Sequence, residues 1–309
     1  MAEGIALSKT GISAKDKASI ELMVEKGADA LALSFVQSVD DVLEVKQLLP
    51  KDFPISIVAK IETASGVENA ESILEEADVL LIARGDMGLA VPMAKVPHIQ
   101  KDLIKLCLRK SKPVITATQM LESMVSRSIP TRAEVTDVAN AILDGTDCVM
   151  LSAETARGEF PVETVETMVN IIREALKHRD HIDFNEDKEI GNAVSAAAGS
   201  IADQVDSDLI IAFTQSGQTA RNISRHRHKE VIIAASPQPE VVRQLNFTWG
   251  VYPLLIEQTK DFEDFRKQAK HIALHNPIHT LESNQPFIIV AGMPFGETGT
   301  TNMVLVQKT

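Results

Sequence analysis

The sequence contains few cysteines and few aromatic residues, and each shortage excludes a class of protein. Only Cys107 and Cys148 carry thiols among 309 residues, so a disulfide framework is excluded and a reducing compartment is indicated. Aromatic residues make up 4% of the chain, which argues against a surface that stacks bases or sugar rings. No apolar run approaches the roughly 18–20 residues that span a bilayer, and residues 1–10 lack a signal-peptide core. We therefore expect a cytoplasmic protein without a membrane partner.

Basic charge is also scarce. The chain has 31 Lys and Arg against 43 Asp and Glu, which gives a net charge of −12. Non-specific nucleic-acid binders neutralise phosphates with clustered Lys and Arg, so we expect no nucleic-acid partner. What remains is an ordinary globular composition, with 44% hydrophobic and 24% charged residues, and a length that predicts about two domains.

Short aliphatic runs alternate with amphipathic stretches along the first half of the chain. The runs predict strands at 30–35, 55–59, 79–83, 114–117 and 148–151, and the stretches predict helices at 18–26, 40–49, 67–76, 96–110 and 131–143. Ser13 and Asp16 are spaced as in a capping box. The strand runs are almost continuously apolar, which is typical of parallel strands buried on both faces. The pattern therefore predicts β/α architecture.

A polar stretch without periodicity divides the chain. Residues 178–190 are interpreted as a linker between a first domain at 1–177 and a second α/β domain at 191–309. The second domain repeats the alternation, with strands predicted at 209–213, 231–235, 251–256, 287–290 and 303–307.

Residues that a packed core would not choose lie at the ends of all five strands of the first domain. They are Ser34; Lys60 and Glu62; Arg84, Gly85 and Asp86; Thr118 and Gln119; and Ser152 and Glu154. In parallel α/β folds the carboxyl edge of the sheet carries the chemistry, and in a barrel these side chains would converge on one mouth. Loops are generally polar, so any one of these residues could be an ordinary loop residue. Their occurrence at five consecutive strand ends favours a functional site.

Three of these residues suggest a charged site. Glu62 and Asp86 offer oxygen ligands without a thiol or imidazole nearby, which suits Mg²⁺ or Mn²⁺ and argues against zinc. Lys60 lies two residues before Glu62, so its ammonium could stabilise charge on an enolate or a phosphoryl group. A surface ion pair between Lys60 and Glu62 is the alternative.

Several other features allow two readings. The turn at 83–88 and the hydroxyl-rich loops at 214–219 and 296–301 could bind an anion through their amides, or they could be plain turns. Metalloprotease H-E-x-x-H and hydrolase G-x-S-x-G motifs are absent. We interpret the histidines, including His226 and His228, as solvated, and both cysteines as buried core thiols.

Long motifs in both domains resemble pyruvate kinase. They are VAKIE at 58–62, LLIARGDMGLAVP at 80–92, KPVITATQMLESM at 112–124, PTRAEVTDVANAILDGTDCVMLSAETARGEFPVETV at 130–165, TQSGQTARNISR at 214–225, RQLNFTWGVYP at 243–253 and AGMPFGETGTTN at 291–302. The resemblance implies a partial TIM (β/α)₈ barrel followed by a C-terminal α/β regulatory domain with a mainly parallel sheet. It also implies phosphoryl transfer from phosphoenolpyruvate to ADP, giving pyruvate and ATP in glycolysis.

The resemblance assigns roles to individual residues. Glu62 and Asp86 match the ligands of Mg²⁺ or Mn²⁺. The catalytic and proton-relay positions correspond to Lys60, Thr118, Ser152 and Glu154. The substrate-binding positions correspond to Ser34, Ala83, Arg84, Gly85, Asp86 and Thr118. The site of a phosphorylated allosteric effector corresponds to Thr214, Gln215, Ser216, Gly217 and Thr219.

The chain also departs from the family pattern. It has no counterpart of the first third of the barrel, the lid domain, the K⁺ ligands or the arginine that grips the transferring phosphate, and Met87, Ala90 and Val91 differ from the usual residues. Unpaired strand edges are costly, so we expect a complementing N-terminal half or a second copy to cover them. The family forms homo-oligomers, typically tetramers. Two alternatives stay open: a non-catalytic regulatory or assembly homologue, and residual metal-dependent pyruvate-enolate chemistry.

Overall fold

The computed structural model describes residues 11–179, 182, 184 and 188–309. The chain divides into two compact units, an N-terminal unit at 1–179 and a C-terminal unit at 180–309. Six of the thirteen residues of the predicted linker, 180, 181, 183 and 185–187, lie outside the described residues, as do residues 1–10. None of the helices in the described ranges is long and apolar enough to cross a membrane.

The N-terminal unit is built on a five-stranded parallel sheet. Its strands are β1 (Ala30–Leu33), β2 (Ser56–Ile61), β3 (Val79–Ala83), β4 (Val114–Ala117) and β5 (Cys148–Met150), hydrogen-bonded in sequence order. The helices are α1 (Ala14–Glu25), α2 (Val39–Leu48), α3 (Ala64–Glu68), α4 (Ala70–Glu76), α5 (Arg84–Ala90), α6 (Val96–Arg109), α7 (Arg132–Leu143), α8 (Ala153–Ala156) and α9 (Pro161–Leu176). Every residue of β3 and β4 is buried, which confirms the parallel sheet predicted from continuous apolar runs.

Local sequence signals predict the beginning of α1 correctly but fail at two other helices. The capping box at the start of α1 is confirmed, because Ser13 Oγ accepts from the Asp16 amide and the Asp16 carboxylate accepts from the Ser13 amide. The helix predicted at 67–76 is instead two helices that meet at Asn69. The turn predicted at 83–88 is also wrong, because the first turn of α5 begins at Arg84 despite two glycines.

The C-terminal unit holds a second five-stranded sheet with the order β10-β9-β6-β7-β8. Its strands are β6 (Leu209–Phe213), β7 (Val231–Ser236), β8 (Val251–Leu255), β9 (Pro286–Gly292) and β10 (Thr301–Lys308), and β10 alone is antiparallel to its neighbour. The helices are α10 (Ile190–Gln204), α11 (Gln218–Ser224), α12 (Pro239–Gln244) and α13 (Phe262–His275). A core covers each face of this sheet, which confirms the mainly parallel α/β arrangement.

Two expectations about burial are wrong in part. His226 and Arg227 are 3% and 2% exposed, because His226 Nδ1 donates to the Ile182 carbonyl and the Arg227 guanidinium lies 5.2 Å from the Trp249 ring centre. These partners are distant in sequence, so no local pattern indicated that His226 is buried. His228, also predicted to be solvated, is half-buried. Cys107 is buried as predicted, and burial raises the pKa of its thiol. Cys148 is only half-buried, since β5 has one neighbouring strand among the described residues.

Glu230, which precedes β7, makes stability depend on pH. The residue is 4% exposed, its carboxylate has no hydrogen-bond partner in another described residue, and burial raises its pKa, with Asp203 contributing further. The folded chain therefore binds the Glu230 proton more tightly than the unfolded chain does. The contribution of this proton to the free energy of unfolding is fully present below the unfolded pKa and is lost as pH rises through the folded pKa.

We expect Glu230→Gln to raise the free energy of unfolding at neutral pH by about 1 kcal/mol, because it removes a buried unpaired charge. The gain should vanish at about pH 4, where the parent carboxyl is already protonated. Urea denaturation at both pH values measures this difference. A parent chain that is at least as stable as the variant at neutral pH would contradict the prediction.

Candidate active site

The carboxyl ends of β1 and β2 bring Ser34, Lys60 and Glu62 into direct contact. Lys60 Nζ lies 2.7 Å from Glu62 Oε1 and donates to Ser34 Oγ at 2.9 Å. The Glu62 side chain is 1% exposed whereas that of Lys60 is 24% exposed. The pair is therefore not an ordinary surface ion pair, because a buried carboxylate holds an ammonium that still reaches solvent.

The backbone after β1 completes this contact. Leu33 pairs with Ala59 across the sheet, so Ser34 comes level with Lys60. Phe35 then adopts a left-handed conformation with φ of 56°, which costs of order 1 kcal/mol for a residue with a side chain. Its amide donates to Glu62 Oε2 at 2.5 Å, so the buried carboxylate holds the strained turn in place.

Arg84 points into the protein instead of into the mouth of the sheet. Its side chain is 8% exposed, and its guanidinium donates to the carbonyls of Ala117 and Thr118 at 3.3 and 2.7 Å. The same group pairs with Asp137 at 2.7 Å. Arg84 therefore supports the turn after β4 in this structure, although the resemblance assigns it to substrate binding.

That turn presents Thr118 beside the beginning of α5. Thr118 and Gln119 have φ values of 67° and 57°, both left-handed and both costly for residues with side chains. Thr118 Oγ1 accepts a hydrogen bond of 2.8 Å from the Gly85 amide. The structure thus joins the ends of β3 and β4 through a half-buried threonine hydroxyl.

Glu154 joins the ends of β4 and β5 in a similar way. Its carboxylate is almost fully buried and accepts from the amides of Leu121 and Ser152 at 3.2 and 2.8 Å. Both oxygens are engaged with backbone, so Glu154 fixes the loops that carry Thr118 and Ser152.

Asp86 stands apart from these contacts. It is exposed in the first turn of α5, and within the described ranges its carboxylate makes no hydrogen bond or ion pair with another residue. Glu62 and Asp86 nevertheless follow the neighbouring strands β2 and β3. Each carboxylate oxygen of Glu62 accepts one bond and keeps a second lone pair, so it remains able to ligate a cation.

These carboxylates fit one class of metal ion. The described residues contain no group of three His, Cys, Asp or Glu that could hold a metal ion by itself. Mg²⁺ commonly takes one or two carboxylates and completes its shell with water and substrate oxygens. The donor set of Glu62 and Asp86 therefore fits a hard cation and does not fit structural zinc.

A pocket in the C-terminal unit contains most of the predicted effector residues. Its cavity volume is about 40 Å³, it opens to solvent, and its lining includes Thr214, Gln215, Ser216 and Thr219. Gly217 lies beneath them with φ of 82°, and its amide donates to Thr214 Oγ1 at 2.8 Å. The facing wall is the loop at 295–301, the second hydroxyl-rich loop of the sequence. The lining has no Lys or Arg, and its one charged residue is Glu297.

Sequence reasoning missed several supporting residues. Gln100 is 5% exposed on α6, where it accepts from Arg84 and donates to Asp144. A polar residue on the apolar face of a predicted helix was the available signal. Nothing in the local sequence marked Asp137 as a partner of Arg84. Gln258 accepts a hydrogen bond from Gln215 in the effector pocket, but the two residues are 43 positions apart, so the sequence did not indicate the contact.

Comparison with known proteins places both units in one family. The family model of the pyruvate kinase barrel domain matches residues 2–165, and that of the pyruvate kinase alpha/beta domain matches residues 192–307. The pyruvate kinase of Staphylococcus saprophyticus is 42% identical over 309 residues, which cover 97% of this chain and 52% of that protein. The pyruvate kinase of Staphylococcus aureus is 43% identical over an alignment of 311 residues, which covers 98% of this chain and 53% of that protein. The chain therefore spans about half the length of these relatives.

Proposed function

The chain belongs to the pyruvate kinase family, and from that premise we propose that it carries the site at which phosphoenolpyruvate and ADP give pyruvate and ATP in glycolysis. The observation that carries the proposal is the contact of Lys60 with Glu62 and Ser34 at the ends of β1 and β2. In this contact a buried carboxylate holds one ammonium in a position that still reaches solvent. An ammonium fixed in this way can stabilise negative charge that develops on a bound substrate.

Phosphoryl transfer asks for positioning and neutralisation of charge more than for a protein nucleophile. Lys60 neutralises charge on the transferring phosphoryl group and on the enolate that it leaves, while Ser34 fixes the direction of the ammonium. Thr118 places its hydroxyl near the methylene carbon of the enolate, where a proton must arrive. Ser152 and Glu154 support that proton delivery, with Glu154 holding the loops in place.

Two sets of groups bind the remaining parts of the substrate. The backbone of Ala83, Gly85 and Asp86 seats the carboxylate of phosphoenolpyruvate, and Arg84 braces this seat from behind. Glu62 and Asp86 would hold Mg²⁺ or Mn²⁺. When bound, such an ion neutralises charge on the phosphoryl oxygens. No residue of this chain is assigned to K⁺.

The test is formation of pyruvate from phosphoenolpyruvate and ADP in the presence of Mg²⁺, coupled to NADH oxidation by lactate dehydrogenase. It is run on the chain alone and on the chain mixed with a separately expressed segment that supplies the rest of a relative's length. We expect activity that EDTA abolishes in at least one of these samples. Absence of pyruvate in both would overturn the proposal.

Decarboxylation of oxaloacetate is a second candidate function. It is favoured because Lys60 and Thr118, which would contact the enolate, and Glu62 and Asp86, which would hold the metal ion, all lie in the N-terminal unit. The chain meanwhile spans only about half the length of its relatives. This reaction should depend on added Mg²⁺ or Mn²⁺, and metal-independent release of pyruvate would exclude it.

The pocket of the C-terminal unit is proposed as the site of a phosphorylated effector. Its hydroxyls and amides offer hydrogen-bond donors for a single phosphate group. We expect a sugar monophosphate or a nucleoside monophosphate to raise the Tm by several degrees, since a ligand that binds only the folded state stabilises it.

The matched variants are Ser216→Asp and Ser216→Asn. The added carboxylate should abolish the rise in Tm by repelling the phosphate, whereas the neutral amide should preserve it. Equal responses in the two variants would contradict the placement of the phosphate beside Ser216.

A further inference from the structure

We propose that His271 and His275, on the surface of α13, form a binding site for a divalent transition-metal ion of the Zn²⁺, Ni²⁺ or Cu²⁺ class. The two residues are four positions apart, so they lie on the same face of the helix one turn from each other. Both are exposed, and their rings are stacked, with centroids 4.4 Å apart and planes that differ by 23°. Because each lone pair lies in its ring plane, the exposed His271 ring would turn about its side-chain bonds to bring both nitrogens to one ion. Two imidazoles at this spacing are a recurrent helical chelate for zinc.

The protonation of one ring is already arranged for ligation. His275 Nδ1 lies 2.9 Å from the His271 carbonyl oxygen, and that oxygen can only accept a hydrogen bond. The hydrogen of neutral His275 therefore sits on Nδ1, which leaves the lone pair of Nε2 for a metal ion. Metal-bound histidines commonly donate their second nitrogen to a carbonyl or carboxylate in this way.

The ligand chemistry determines which ions bind. Imidazole favours Zn²⁺, Ni²⁺ and Cu²⁺ and has little preference for Mg²⁺. The part of the chain that the structure describes offers no cluster of three ligating side chains, so water completes the coordination shell. Lys267, one turn before His271, lies 3.4 Å from Glu263, which offsets the cationic charge nearest the site on this face.

Ion binding should stabilise the C-terminal unit. The opposite face of α13 packs Phe265, Ala269 and Ile272 into the core beneath the sheet, and His275 is the last residue of the helix. An ion that links His271 to His275 would hold this last turn against fraying. The site uses no residue of the proposed catalytic or effector sites, so it stands or fails independently of them.

The experiment is calorimetric titration of Zn²⁺ into the chain, carrying no polyhistidine tag, at pH 7.5 with excess Mg²⁺ to occupy carboxylate sites. We expect saturable binding that His271→Gln and His275→Gln each weaken by about tenfold or more, corresponding to about 1.4 kcal/mol or more. His279→Gln, which changes a histidine beyond the helix, is the matched control and should bind as the parent does.

Cu²⁺ electron paramagnetic resonance gives a second, local readout. The spectrum of the parent should show coupling to two nitrogen nuclei, and that of either glutamine variant should show one. The proposal is overturned if the two variants keep the parent's affinity and spectrum, or if His279→Gln weakens binding as much as they do.

Discussion

If the proposed function is correct, we expect replacement of Lys60 with methionine to lower kcat for conversion of phosphoenolpyruvate and ADP into pyruvate by about 10²–10³-fold, the loss expected when one group that stabilises transition-state charge is removed. Lys60 Nζ touches Glu62 and Ser34 and is the ammonium that the strand ends direct to solvent. Because charge grows during the transfer, kcat should fall more than KM for phosphoenolpyruvate rises. Initial rates over a range of phosphoenolpyruvate concentrations separate the two effects.

The substitution also leaves Glu62 buried without its cation, so stability must be followed beside activity. Removing one partner of a buried pair is destabilising, and urea midpoints will show how much of the variant is folded at the assay temperature. Lys60→Arg keeps the charge with a different shape and should recover part of kcat. A folded methionine variant with the parent's kcat would remove Lys60 from the reaction.

We expect replacement of Arg84 with methionine to lower the free energy of unfolding by about 2–4 kcal/mol, because one buried and one half-buried carbonyl lose their donor and the guanidinium leaves unfilled space. These carbonyls belong to Ala117, the last residue of β4, and to Thr118, in the strained turn whose hydroxyl is proposed to act in catalysis. The same substitution should lower kcat at temperatures where the variant is still folded, since Thr118 loses its brace. Urea denaturation and initial rates measure the two effects.

Asp137→Asn is the matched control for this network. The Asp137 side chain is 39% exposed, so loss of its charge should cost about 1 kcal/mol or less and leave kcat near the parent's value. Arg84→Lys should recover little stability, since one ammonium cannot reproduce the fork that reaches both carbonyls. If Asp137→Asn were as damaging as Arg84→Met, the ion pair would be the important contact and the support of Thr118 would be wrong.

The fold could be predicted where local signals and burial agree. β3 and β4 were predicted at their observed bounds, because a short continuous aliphatic run is typical of a parallel strand that is buried on both faces. The cap of α1 followed from the spacing of Ser13 and Asp16. The prediction for α5 failed because glycines at 85 and 88 lower helix propensity, whereas packing onto the strand ends overrides it.

The candidate site could be predicted in composition but not in orientation. The two-residue spacing of Lys60 and Glu62 after β2 indicated a shared charged site, and the structure joins them. Arg84 follows β3 in the same way, yet its side chain turns inward toward partners 16 to 53 positions away in sequence. Which way a side chain turns at a strand end depends on such distant partners, and no local pattern records them.

The central claim is that Glu62 and Asp86 hold one hard divalent cation beside the Lys60 ammonium. Electron paramagnetic resonance titration of free Mn²⁺ in the presence of phosphoenolpyruvate measures this directly and needs no turnover. We expect one Mn²⁺ per parent chain, binding weakened by about tenfold or more in Glu62→Gln and Asp86→Asn, and unchanged binding in the surface control Asp16→Asn. Equal Mn²⁺ affinity in all four proteins would contradict the claim.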